Sequence, residues 1–135
     1  MRRLIAIVVL AVSAGSVLTA QGQAAKPIDY DTYCKLPDTE SKRTAFFATT
    51  AETRGTLVRT QLERWRDANQ ARLDDKQKAS LAAVIKSITS TTYVDGPEGE
   101  ESRIKSRALM AEHERLFTRD DIMAMQPNAP CIAKK

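Results

Sequence analysis

The chain has 135 residues and a mass of 15.0 kDa, room for one domain. Its formal charge is +4, half of it from Arg2 and Arg3, which argues against a strongly basic nucleic-acid-binding protein. Nearly balanced charge with periodic apolar residues argues against intrinsic disorder, and only three glycines after residue 24 leave no Gly-rich phosphate loop.

Met1-Arg2-Arg3 is a short positive segment. An unbroken apolar run follows from Leu4 to Val12, and small residues from Ser13 to Ser16. This three-part pattern predicts a secretory signal peptide over residues 1–24, cleaved after Ala20 or Ala24. The alternative is a membrane anchor. Leu4 to Ala20, interrupted by Ser13, Gly15, Ser16 and Thr19, falls short of the roughly 20 apolar residues a span needs. The expectation is an extracytoplasmic protein, periplasmic or secreted, with no membrane span after cleavage. The sequence contains no Asn-x-Ser/Thr glycosylation site.

Residues 25–37 carry Pro27, Pro37, Tyr30 and Tyr33 without a period, and read as an irregular lead-in. Cys34 and Cys131 are the only cysteines, and in an oxidising compartment two cysteines most simply pair. Closing a loop of 97 residues is worth roughly 4–5 kcal/mol in the chain-entropy model. With no CxxC and a single histidine, neither a redox motif nor a usual zinc site is present.

Asp38 is a good N-cap, and no proline follows until Pro97. Phe47, Ala51, Val58, Leu62 and Trp65 recur on one face, widened by Leu57 and Ala68. Glu52, Arg59, Glu63, Arg66 and Asp67 fall opposite. The period predicts one amphipathic helix over residues 39–71, about 50 Å long at 1.5 Å per residue. Asp74 and Gln77 have the spacing of a capping box that opens a second helix over 75–90, with Leu81, Val84, Ile85 and Ile88 on its face. Asp95-Gly96-Pro97-Glu98-Gly99 reads as a turn. A third helix over 100–117 carries Leu109, Met110, His113, Leu116 and Phe117, and a second capping box at Thr118–Asp121 opens a short helix over 119–125.

The fold class is therefore all-α. The expected architecture is a long antiparallel hairpin, helix 39–71 against helices 75–90 and 100–117. Their combined length matches the first helix and returns Cys131 to Cys34. The alternative is a four-helix bundle bent at Gly55.

No constellation on this framework converges on a catalytic site. Glu112 and Glu114 flank His113, but adjacent helical residues point about 100° apart, so His113 reads as a core residue rather than a metal ligand or base. The pairs Asp74/Asp75 and Asp120/Asp121 sit where caps belong. Asp95, Glu98, Glu100 and Glu101 lack the ligand spacing of an EF-hand. Arg54, Gln61, Asn69 and Arg72 fall within or beside the apolar stripe, where they pair locally or serve a partner-binding groove. Met110, Met123 and Met125 offer either packing or a soft surface.

Leu73-Asp74-Asp75-Lys76-Gln77 resembles the Leu-Thr-x-x-Gln motif of Spy-type periplasmic chaperones, over five residues and with Asp in place of Thr. A second copy would have to be Leu116–Asp121, which departs further. The resemblance implies a helical, dimeric, cradle-shaped protein.

The leading expectation is a small extracytoplasmic helical binding or interaction protein without catalytic activity, metal or cofactor. A Spy-like chaperone or stress-response protein is one alternative. Others are a purely structural envelope component and an enzyme, a hydrolase or lyase using Arg54 or Arg72 with a carboxylate. Only 26 of residues 25–135 are large and apolar, too few for a two-layer hairpin to enclose a core on every side. Phe47, Val58, Leu62 and Trp65 are therefore expected to form a partner interface, in a homodimer or with an envelope or secreted protein, and not with nucleic acid.

Overall fold

The computed structural model describes residues 25–135. The expected signal peptide, residues 1–24, lies outside the described residues. The fold is all-α, with six α-helices and no strand among the described residues. They are α1 (Tyr30–Cys34), α2 (Thr39–Ala48), α3 (Ala51–Asn69), α4 (Asp75–Ser87), α5 (Pro97–Leu116) and α6 (Arg119–Ala124). Turns of 3₁₀ helix follow α3 at Gln70–Arg72 and α4 at Ser90–Tyr93.

Each helix start has a local chemical cause. Asp29, Asp38, Thr50, Asp74 and Thr118 all cap through a side-chain oxygen that accepts from a free backbone N–H. At α4 the capping box is reciprocal: Asp74 accepts from Gln77 N at 2.8 Å, and Gln77 Oε1 accepts from Asp74 N at 3.0 Å. The segment resembling the chaperone motif thus does capping work. Pro97 opens α5 at a position where no N–H is needed.

Four expectations are corrected. The lead-in 25–37 is not wholly irregular, because Asp29 nucleates α1 by accepting from Thr32 N at 2.7 Å. The helix over 39–71 is not continuous. Thr49 and Thr50 are both extended; the Thr49 hydroxyl donates to the Lys26 carbonyl, and Thr50 caps α3. Two adjacent threonines compete for backbone hydrogen bonds and stop a helix that hydrophobic periodicity alone would continue. The bend therefore falls at Thr49–Thr50 and not at Gly55, which lies inside α3. A β-carbon on Gly55 would meet the Thr89 carbonyl at 3.5 Å, an ordinary contact.

The third correction concerns the hairpin. Helices 75–90 and 100–117 do not lie end to end along α3. They fold back on each other as α4 and α5: Gln77 Nε2 donates to Leu116 O at 2.9 Å, and Ser80 lies 3.2 Å from His113. An advance of three residues on α4 matches a retreat of three on α5, so the two are antiparallel. The β-branched segment from Ile88 ends α4 early and forms the reversing turn. Two glycines are needed there. Gly96 has φ +101°, and a β-carbon on Gly99 would fall 1.7 Å from the Val94 carbonyl oxygen. Arg59 donates to Ile88 O at 2.8 Å and Arg103 to Val94 O at 3.0 Å, so the ends of the turn are held by arginines.

The fourth correction follows from these. Val58, Leu62 and Trp65 are buried in the chain's own core and are not free for a partner; of the four expected interface residues only Phe47 is exposed, at 67%. The α4–α5 hairpin, its turn and the C-terminal segment close over α3. Trp65, for example, meets Phe117 edge-on at 5.6 Å.

The expected disulfide is present: Cys34 and Cys131 are bonded, with Cα atoms 5.8 Å apart. It clamps α1 to the C-terminal segment, which α3 also grips. Gln61, fully buried, donates to Ala124 O at 3.0 Å and Pro130 O at 3.3 Å and accepts from the Tyr30 hydroxyl. Arg64 donates to Ile132 O at 2.9 Å and lies over the Tyr30 ring.

Candidate functional site

On the neighbouring face of α3 the packing is incomplete. Helical spacing brings Val58 and Leu62 of α3 to face Val84, Ser87 and Ile88 at the end of α4. Ser106, Met110 and His113 share one face of α5, and Ile122, Met125 and Gln126 approach from α6 and the residues after it. Phe46, Thr92, Tyr93 and Pro127 complete the wall. These groups line a largely apolar cavity of about 250 Å³ that is partly open to solvent. Among the described residues its lining contains no lysine, arginine, aspartate or glutamate.

His113 sits in this wall and is fully buried. Its ring lies 4.4 Å from Phe117, Nδ1 is 3.2 Å from Ser80 Oγ, and Nε2 is 3.2 Å from Met125 Sδ. A thioether sulfur can only accept, so Nε2 carries the proton and Nδ1 accepts from the Ser80 hydroxyl. Burial holds the imidazole below its ordinary pKa of 6.5, only partly opposed by Glu114, so the ring is neutral at pH 7. Tyr93, edge-on to Phe46 at 5.6 Å, has its phenol pushed up to about 12 by burial. Neither titratable group in the wall carries charge at neutral pH.

A serine beside a histidine invites comparison with a nucleophile and its base. Here a sulfur stands where a carboxylate would orient the ring and stabilise the imidazolium. Ser80 also lies mid-helix, where neighbouring backbone N–H groups are committed to the helix and cannot form an oxyanion hole. The pair instead satisfies a buried polar ring, the core role expected of His113.

The other singled-out residues are spent locally. Arg54 donates to Thr49 O at 2.7 Å and to the Tyr93 carbonyl, and Asn69 donates to Trp65 O at 2.8 Å. Arg72 pairs with Asp121 at 2.7 Å above the Trp65 ring, which holds the Asp121 carboxyl below its usual range. Glu100 and Glu101 pair with Arg103 and Lys105. Among the described residues no three His, Cys, Asp or Glu side chains stand together so as to hold a metal ion. No helix there is long and apolar enough to cross a membrane. Met110 and Met125 line the cavity, while Met123 is exposed.

Sequence reasoning missed Ser87, Thr92, Tyr93, Ser106 and Gln126 as site residues. The legible signal was small polar residues recurring at helical spacing on faces that also carry Val84, Ile88, Met110 and Ile122. Comparison with protein-family models, curated proteins and solved structures found no match.

Proposed function

We propose that this chain is an extracytoplasmic binding protein, without catalytic activity, that takes a small, mostly apolar molecule into the cavity beside α3. The cavity carries the reading. It is a largely apolar, partly open hollow of about 250 Å³, the size and chemistry of a small-molecule site. A dry apolar cavity of about 150 Å³ is enough to bind benzene in another protein. The Arg2-Arg3 leader pattern and the Cys34–Cys131 disulfide support the compartment.

The test uses the exported, oxidised protein with ¹³C-labelled methionine methyls. Propylbenzene should shift the Met110 and Met125 signals and leave exposed Met123 unmoved. Identical spectra with and without saturating propylbenzene would refute the reading.

A second reading, a homodimer or a permanent envelope partner, draws support from exposed Phe47. Sedimentation equilibrium decides it: a dimer that Phe47→Asp dissociates supports it, and a monomer at micromolar concentration rejects it for the homodimer.

A further inference from the structure

Apolar walls alone do not define a ligand, but the polar atoms among them narrow it. Five side chains bring hydroxyl or amide groups to the cavity: Ser87, Thr92, Tyr93, Ser106 and Gln126. Two are already committed. Ser87 donates to Val84 O at 2.7 Å, and Thr92 Oγ1 lies 2.8 Å from Ser102 Oγ. Gln126 spends one of its two amide N–H groups, in a long 3.4 Å contact with Ile122 O. Among the described residues no partner engages the Gln126 carbonyl oxygen or the hydroxyls of Tyr93 and Ser106. No fully buried side-chain oxygen or nitrogen there lacks a partner, so these three atoms are accessible rather than sealed in the core. The wall thus presents one free carbonyl acceptor, two free hydroxyls and one free amide N–H in an uncharged, apolar setting.

An ionised ligand entering this wall would lose its hydration with no counter-charge to replace it. A hydroxyl on the ligand can donate to Gln126 and accept from Ser106, so it fits whichever of the two it meets. We propose, on the reading that the cavity is the binding site, that its ligand is a neutral apolar alcohol, of about ten non-hydrogen atoms when scaled from benzene in about 150 Å³. Ser106 and Gln126 would select its hydroxyl. The structure also contains the feature that could contradict this. A neighbouring hollow of about 240 Å³ shares Phe46, Gln126 and Pro127 with the cavity and has Arg43 in its wall. An anionic head group that passed Gln126 could pair with Arg43.

The experiment measures affinities of the exported, oxidised protein at pH 8 for propylbenzene, octan-1-ol and octanoate, using the Met110 and Met125 methyl signals. Octan-1-ol should bind at least tenfold more tightly than octanoate. Ser106→Ala and Gln126→Leu together should weaken octan-1-ol about tenfold and leave propylbenzene within twofold. Thermal melts of the variants establish that they fold. If propylbenzene and octan-1-ol both fail to bind, the cavity reading itself falls. Should propylbenzene bind while the double variant holds octan-1-ol as tightly as the parent does, the cavity stands and hydroxyl selection is overturned. Octanoate binding as tight as octan-1-ol, lost on Arg43→Gln, would assign the site to anions instead.

Discussion

Two neighbouring faces of α3 are built differently. Gln61 and Leu62 are adjacent, yet Gln61 faces the C-terminal clamp and Leu62 faces the cavity. On the clamp side every buried polar group is paired, and a disulfide closes the ring of contacts. On the cavity side Val, Ile and Met side chains stop short of filling the space. The clamp ties α1, α3 and the C-terminal segment together, which lets the chain tolerate a void next to its only histidine. An imperfectly packed region in a protein of this size needs such a counterpart, since a small domain has little stability to spare.

The largest test removes the clamp. Replacing both cysteines with serine should cost roughly 4 kcal/mol, because the unfolded chain regains the entropy of a long loop. Urea unfolding of the variant and the parent would measure it, and a loss under 1 kcal/mol would mean the clamp is not what holds the two ends.

Next in size is Gln61→Leu. It removes the acceptor of the Tyr30 O–H, whose oxygen still accepts from Ile132 N, and strands the carbonyls of Ala124 and Pro130, at a cost of about 2–3 kcal/mol. Thermal or urea melts read it out. An unchanged midpoint would show that the buried network contributes nothing beyond the disulfide.

The third test uses pH and acts on the cavity side. His113 is held neutral in the fold, so the unfolded chain binds a proton that the folded chain refuses as pH falls below about 6.5. Stability should be full above that value and decline toward pH 5. His113 is the only histidine, so His113→Leu should flatten the decline between pH 7 and 5. The lowered carboxyls of Asp29, Asp38 and Asp121 act at lower pH, where their protonation removes the caps and the Arg72 pair. Urea midpoints at pH 7.5 and 5.5 make the comparison, and equal slopes in parent and variant would refute it.

The smallest effect is the sharpest about the void. Val84→Leu adds one methylene facing the cavity and should stabilise the protein by up to about 0.8 kcal/mol. In a filled core the same change costs about 1–3 kcal/mol. A falling midpoint would therefore mean that the cavity is already occupied by packed side chains.

Much of this protein could be read from its residues, because the responsible physics is local. Asp38, Asp74 and Thr118 cap helices within three residues of themselves, and the Leu81–Val84–Ile88 and Met110–His113–Phe117 faces follow from helical period alone. The pairing of Cys34 with Cys131 followed from there being two cysteines and an expected oxidising compartment. Thr49–Thr50 carried a local signal too, but the longer apolar period around it masked the break. Tertiary structure alone decided the rest. Whether helices 75–90 and 100–117 lie in line or fold back depends on how the segment from Ile88 to Gly96 turns, and that turn is held by Arg54 and Arg59 from distant positions on α3. Whether Val58, Leu62 and Trp65 meet a partner or their own chain depends on that choice. The cavity lies further still from the sequence. A void is the difference between the volume several helices enclose and the volume their side chains fill, and no single segment encodes that difference.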